Sequence, residues 1–158
     1  MPQLVREQHV DVFVGYHAFA LQESDDAFLD LEFPDEFDFG AFLSAHPGRL
    51  DITSAGHTHT ASLTVEVWDG PAPVQDTAAW EEQAEADFDS VSGQVAVWSM
   101  GLGRLDDLIT LADSGGAWRV RVSSAGRAEI KALAESEESI KGVERYLVQF
   151  WHVGPRAR

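Results

Sequence analysis

The 158-residue chain contains no cysteine. Disulfides and thiolate metal sites are therefore excluded, and the fold has to hold without covalent staples. Basic residues are scarce: 11 Lys and Arg stand against 27 Asp and Glu, a formal net charge of −16. On a sphere of radius about 19 Å that charge gives a surface potential of roughly two kT at physiological salt. Such a field repels nucleic acid and anionic membranes and attracts basic partners, and it also confers solubility. No uncharged apolar run approaches the ~18 residues of a membrane helix. The amino terminus, Met1-Pro-Gln-Leu-Val-Arg-Glu-Gln-His9, lacks the basic-then-apolar order of a secretion signal. A cytoplasmic protein with no cofactor is expected.

The charge is uneven along the chain. Up to Gly103 only Arg6 and Arg49 are basic, against 19 acidic residues, a net −17; from Arg104 onward nine basic and eight acidic residues give +1. At 17.3 kDa, one domain spanning residues 1–158 is the natural reading.

What is present is alternation. In Gly116-Ala-Trp-Arg-Val-Arg-Val, Trp118, Val120 and Val122 alternate with Arg119 and Arg121, which predicts a half-buried strand. In Val143-Glu-Arg-Tyr-Leu-Val-Gln-Phe-Trp-His-Val153, Arg145, Leu147, Gln149, Trp151 and Val153 share one face. Glu144, Tyr146, Val148, Phe150 and His152 share the other. Apolar on both faces, this stretch predicts a central strand. Val10 to Tyr16 alternates until Gly15, read as a bulge in one bent strand or a break between two short ones. Ala27 to Glu32, Leu50 to Ser54, Ala61 to Trp68, Gln83 to Asp89, Gln94 to Met100 and Leu105 to Leu111 add further strands, with a short helix expected between Asp35 and Ala45. Arg127 to Gly142 reads as a helical turn or a loop. Eight to nine short strands with frequent turn signals indicate an all-β antiparallel sandwich or jelly roll.

Gly116-Ala-Trp-Arg-Val-Arg-Val with Gly126-Arg127, and Glu144-Arg-Tyr-Leu-Val-Gln-Phe-Trp151, resemble the closing signature of a family of small uncharacterised acidic bacterial β-proteins. Thr64-Val-Glu-Val-Trp68, Pro71-Ala-Pro73 and Trp80-Glu-Glu82 resemble that family's middle, so the resemblance covers roughly residues 55 to 153. His152 stands where that family usually has proline. The layout, one β-domain closing on such a strand, is also similar to the competence protein J group. That similarity implies an inhibitor of a nuclease.

Among candidate sites, the aromatic and acidic stretch containing Asp25, Asp26, Asp30, Asp35, Glu36, Phe37 and Asp38 reads best as a protein-binding surface. Aromatic anchors supply binding energy, and surrounding carboxylates speed docking onto a basic surface. The blander reading is that its phenylalanines close one end of the sandwich. Trp68 falls on the polar side of its strand, beside Thr64 and Glu66, where an exposed indole would serve as a platform for a sugar or a partner side chain. His57 and His59, two apart, would point both imidazoles at one metal ion if they lay on one strand; a polar turn edge is the plainer alternative. The acidic clusters lack the spacing and central glycine of a calcium loop. No Gly-x-Ser-x-Gly elbow is present, and Gly101-Leu-Gly103 lacks the third glycine of a dinucleotide loop. The sequence therefore indicates a non-enzymatic, acidic protein-binding module, an inhibitor or immunity-type partner of a basic protein such as a nuclease. The alternatives are a small-ligand or carbohydrate-binding sandwich using Trp68, and a metal-dependent enzyme using His57 and His59.

Overall fold

Two-residue periodicity organises nearly all of the chain. The computed structural model describes residues 2–25, 41–46, 48–73, 80–99, 103–133 and 141–155. Its strands are β1 (Leu4–Val14), β2 (Ala18–Glu23), β3 (Leu43–His46), β4 (Arg49–Thr53), β5 (His59–Trp68), β6 (Glu82–Ser90), β7 (Gln94–Ser99), β8 (Gly103–Thr110), β9 (Gly116–Ala125) and β10 (Lys141–Gly154). A single described helix, α1 (Arg127–Leu133), follows β9. The first sheet has the order β1-β5-β10-β9-β6 and the second β3-β4-β2-β7-β8. The protein is an all-β sandwich.

Three sequence expectations need correcting. The described strands number ten rather than eight or nine; β3 among them is a four-residue edge too short to show a period, and the strand expected over Ala27 to Glu32 lies outside the described residues. It occupies Leu43–His46, where the carboxyl end of a helix was expected; residues 35–40 of that expectation lie outside the described residues. The sheets are also not wholly antiparallel: β10 lies parallel to β5, in register Tyr146 with Leu63 and Trp151 with Trp68. On its other side β10 is antiparallel to β9, so its two apolar faces mark a central strand as expected.

Val10, Val12, Val14, Leu63, Val65, Val67, Phe88, Trp118, Val120, Val122, Tyr146, Val148 and Phe150 project inward from the first sheet. Phe19, Leu21, Leu50, Ile52, Val95, Val97 and Ile109 meet them from the second. Each fully buried aliphatic or aromatic side chain contributes roughly 1.5–3 kcal/mol, which is where the stability of this disulfide-free fold originates. β9 is buried far more than its alternation suggests. Its polar face is covered because the chain leaving β5 returns over it: Arg121 Nη1 donates to the Ala72 carbonyl at 3.1 Å. There a polar row crosses four strands, with Gln149 Nε2 donating to Glu66 at 3.0 Å. Arg121 donates to Gln149 at 3.2 Å and to Glu85 at 3.2 Å.

The chain passes between the sheets at β1–β2, β4–β5, β6–β7 and β8–β9. The first two crossovers, residues 15–17 and 54–58, lie together at one end; residues 91–93 and 111–115 lie together at the other. Gly93, at φ 79°, belongs to the second end, where its carbonyl accepts from Leu111 N at 2.8 Å. A Cβ on Gly93 would strike the carbonyl oxygens of Ala112 and Ser114. Along one side of the sandwich Gln8 joins the two sheet edges: Nε2 donates to Leu108 O at 3.0 Å and Oε1 accepts from Thr110 N at 2.9 Å. The one described helix is not long and apolar enough to cross a membrane.

Candidate functional site at the crossover end

The β1–β2 connection is not a bulge. Gly15 and Ala18 form an isolated bridge, with Ala18 N donating to Gly15 O at 3.1 Å, and Tyr16 and His17 occupy the turn at φ 54° and 64°. Positive φ at both central residues is the signature of a type I′ turn, which Asn and Gly normally fill. A tyrosine and a histidine there cost roughly 1 kcal/mol each. The turn is held from below by the neighbouring crossover: His17 N donates to His57 O at 3.1 Å, and Ser54 N donates to His17 O at 2.7 Å. The His57 ring meets the rings of Tyr16 and His17 edge-on, at 5.4 and 5.0 Å between centroids. Tyr16 remains 60% exposed, and no other described Phe, Tyr or Trp is as open to solvent.

Beneath the tip lies a buried polar cluster. Glu144 projects inward from β10, fully buried, and Oε1 accepts from Ser54 Oγ and Tyr146 Oη, both at 2.6 Å. Its Oε2 accepts from Ala55 N at 2.9 Å and stands 3.5 Å from Arg127 Nη1. His59, also fully buried, places Nε2 2.9 Å from Ser54 Oγ and 3.6 Å from Glu144. Since the Ser54 proton goes to Glu144, Nε2 is the donor to Ser54, and Nδ1 has no partner among the described residues. Burial depresses the His59 pKa, outweighing the opposing pull of Glu144, so the ring stays neutral. Burial, together with Glu144, drives Tyr146 well above its ordinary value. Serine, histidine and glutamate meet here, yet in the wrong order for nucleophilic catalysis: the serine hydrogen-bonds the acid directly, and no described carboxylate bonds the far imidazole nitrogen, Nδ1. The cluster acts as a clamp joining the first sheet to the β4–β5 crossover.

A second buried carboxylate does the same work at the opposite end. Glu23, fully buried at the end of β2, accepts from Ser90 Oγ at 2.6 Å, Val91 N at 2.8 Å and Ser92 N at 3.0 Å. Its other oxygen accepts from Ser92 Oγ and Asp25 N, both at 2.7 Å. Burial pushes its pKa up, but these donors together outweigh burial and leave it below the usual value.

The sequence-derived candidates are placed as follows. Asp25 is half-buried and donates its backbone N–H to Glu23. Asp26, Asp30, Asp35, Glu36, Phe37 and Asp38 lie outside the described residues. Trp68 is on the outer face of β5 as its alternation indicates, but half-buried beside Trp151, with Nε1 donating to Glu66 at 3.1 Å. His57 and His59 do not share a face. Strand β5 begins only at His59, which turns inward, while His57 is exposed in the crossover loop. No group of three or more potential metal ligands occurs among the described residues. Several of the other described acids share a face, the outer one of the first sheet: Glu7 and Asp11 on β1, Glu66 on β5, and Glu85 and Asp87 on β6 alternate with the inward Val10, Val12, Val65, Val67 and Phe88. Glu85 and Asp87 are paired with Arg119 at 3.3 and 2.9 Å. The Tyr16 tip and the two glutamate clamps were missed, for Tyr-His carries no turn signal and a clamp carboxylate looks like any other acid.

No protein-family model matches the chain, and no curated protein matches it significantly. Two solved structures share its fold. The crystal structure of ComJ, inhibitor of the DNA degrading activity of NucA, from Bacillus subtilis, aligns with a TM-score of 0.61 at 16% identity, covering 97% of this chain and 99% of that one. The structure described as crocagin biosynthetic gene J aligns with a TM-score of 0.59 at 9% identity, covering 94% and 99%.

Proposed function

We propose that this chain is a protein-binding module that inhibits or neutralises a basic protein, a nuclease being the favoured class. The observation that carries the reading is end-to-end likeness of fold to an inhibitor of a DNA-degrading enzyme, combined with a net charge of −16. A nuclease presents a basic, phosphate-binding surface, and a strongly acidic protein docks there quickly and orients itself by its field. The stretch holding Asp25, Asp26, Asp30, Asp35, Glu36, Phe37 and Asp38 is proposed as part of the docking surface on its sequence alone. The reading involves no catalytic step by this chain and no cofactor.

The test is affinity purification from the source cells at low and at high salt, followed by identification of what is retained and an assay of its DNA degradation with and without this chain. A retained basic nuclease, inhibited by the chain and released by salt, is expected. Charge reversal at Asp35, Glu36 and Asp38 should slow association several-fold and flatten its salt dependence. Retention of no basic protein at low salt would defeat the reading.

A further inference from the structure

We propose that the Tyr16–His57 tip is the element this chain inserts into its protein partner, seating the Tyr16 ring in an apolar recess rimmed by basic side chains. This rests on the binding reading above and adds to it a residue and a geometry. Three observations converge. Tyr16 is 60% exposed, and its ring contact in the described structure is the edge of one exposed histidine ring. A side chain so placed adds little to the stability of the sandwich. The backbone beneath it is held at positive φ through two consecutive non-glycine residues, a conformation for which an Asn-Gly pair would have been cheaper. The strained turn is nonetheless fixed in place. It is bonded at Gly15–Ala18, His17–His57 and Ser54–His17, and it stands over the buried Ser54–Glu144–Tyr146 cluster.

Exposure, strain and rigidity together describe a preorganised projection. An anchor already ordered in the free protein loses little entropy on docking. Tyrosine suits that task because it presents a large apolar area with only two side-chain torsions and a polar end. The chain's net charge of −16 selects a partner whose recess has a basic rim. Charge then governs how fast the complex forms, while the Tyr16 ring governs how slowly it comes apart.

The experiment places the photo-cross-linking amino acid p-benzoylphenylalanine at position 16, at position 35 in the acidic stretch, or at position 113, in the exposed crossover at the opposite end. Each variant is irradiated in the source cells, and adducts are identified by mass. Alongside, Tyr16→Asn, which suits the positive φ but removes the ring, is compared with the parent for melting temperature and for dissociation from the cross-linked protein, purified. An adduct with a basic protein from position 16 and none from position 113 is expected. Tyr16→Asn should melt about 2–4 °C higher and dissociate at least about 30-fold faster, with an association rate and salt dependence close to the parent's. Adducts from position 35 without any from position 16 would overturn the tip as anchor and leave the binding reading intact. So would unchanged dissociation of Tyr16→Asn, or equal adducts from position 113. Absence of adducts at all three positions would sink both.

Discussion

Glu23 and Glu144 stand at opposite ends of the sandwich, both fully buried, and each binds the segment by which the chain passes from one sheet to the other. Glu23 reaches from the second sheet to the backbone of Val91 and Ser92; Glu144 reaches from the first to the backbone of Ala55. A buried carboxylate is tolerated only when its oxygens are satisfied, and here both oxygens of both glutamates have partners. The sandwich is closed at its two ends by charge-assisted hydrogen bonds and filled between them by aliphatic side chains.

Glu23→Gln should lose about 2–4 kcal/mol in urea unfolding, since an amide leaves an N–H₂ facing hydroxyl and amide donors. The parent should also be the more acid-sensitive of the two. Glu23 titrates below its ordinary value of 4.5 in the fold, so its contribution is complete above that pH. Below it the unfolded chain takes up a proton first, and stability falls until the folded carboxylate is protonated too. The difference in unfolding free energy between parent and variant should shrink as pH drops below about 4.5; a constant difference would contradict the clamp.

His59 gives a second pH signature at a different place. Its folded pKa lies below the ordinary 6.5, so both states are neutral above that pH and the fold has its full stability there. As pH falls through 6.5 the unfolded chain is protonated while the buried ring is not, and stability declines. His59→Gln should remove that part of the slope. Urea midpoints measured between pH 8 and pH 5 in both proteins check it.

Gly93→Ala should destabilise by about 2–3 kcal/mol or more. The methyl group meets two backbone oxygens that belong to the adjacent crossover, and φ 79° disfavours any Cβ. Thermal unfolding reads the loss directly.

Gln8→Ala should expose the β8 edge. Thr110 N, which donates to Gln8 Oε1 at 2.9 Å, loses its partner, at a cost of about 1–2 kcal/mol. Hydrogen exchange at Thr110 should accelerate while exchange in β10 follows only the global change in stability.

The central strands were legible because packing and local pattern agree. Leu63, Val65 and Val67 alternate with Thr64 and Glu66 and do face the core, and the doubly apolar Tyr146–Trp151 stretch does lie between β5 and β9. Legibility failed where a residue's role is set by a distant partner. Arg121 is polar and was expected to face solvent, but the Ala72 carbonyl and Glu85 lie on it. Glu23 opens the polar run Glu23-Ser-Asp-Asp26, which by composition alone reads as a turn, although its five donors all come from Ser90, Val91, Ser92 and Asp25. The spacing of His57 and His59 suggested one face only on the assumption that the strand had already begun. Tyr16 and His17 form a turn that their residue types disfavour, so propensity pointed the wrong way at the most exposed of the described Phe, Tyr and Trp side chains.

The parallel contact between β5 and β10 has a consequence for synthesis. β10 is the last described strand, yet its slot is the middle of the first sheet. A nascent chain that has not yet emerged beyond Lys141 leaves that sheet in two pieces, with the β5 and β9 edges open and Glu144 absent from its seat. Such edges invite mispairing with other chains. Until β10 is available those two edges stay unpaired, and the first sheet is continuous only when β10 has paired with both of them.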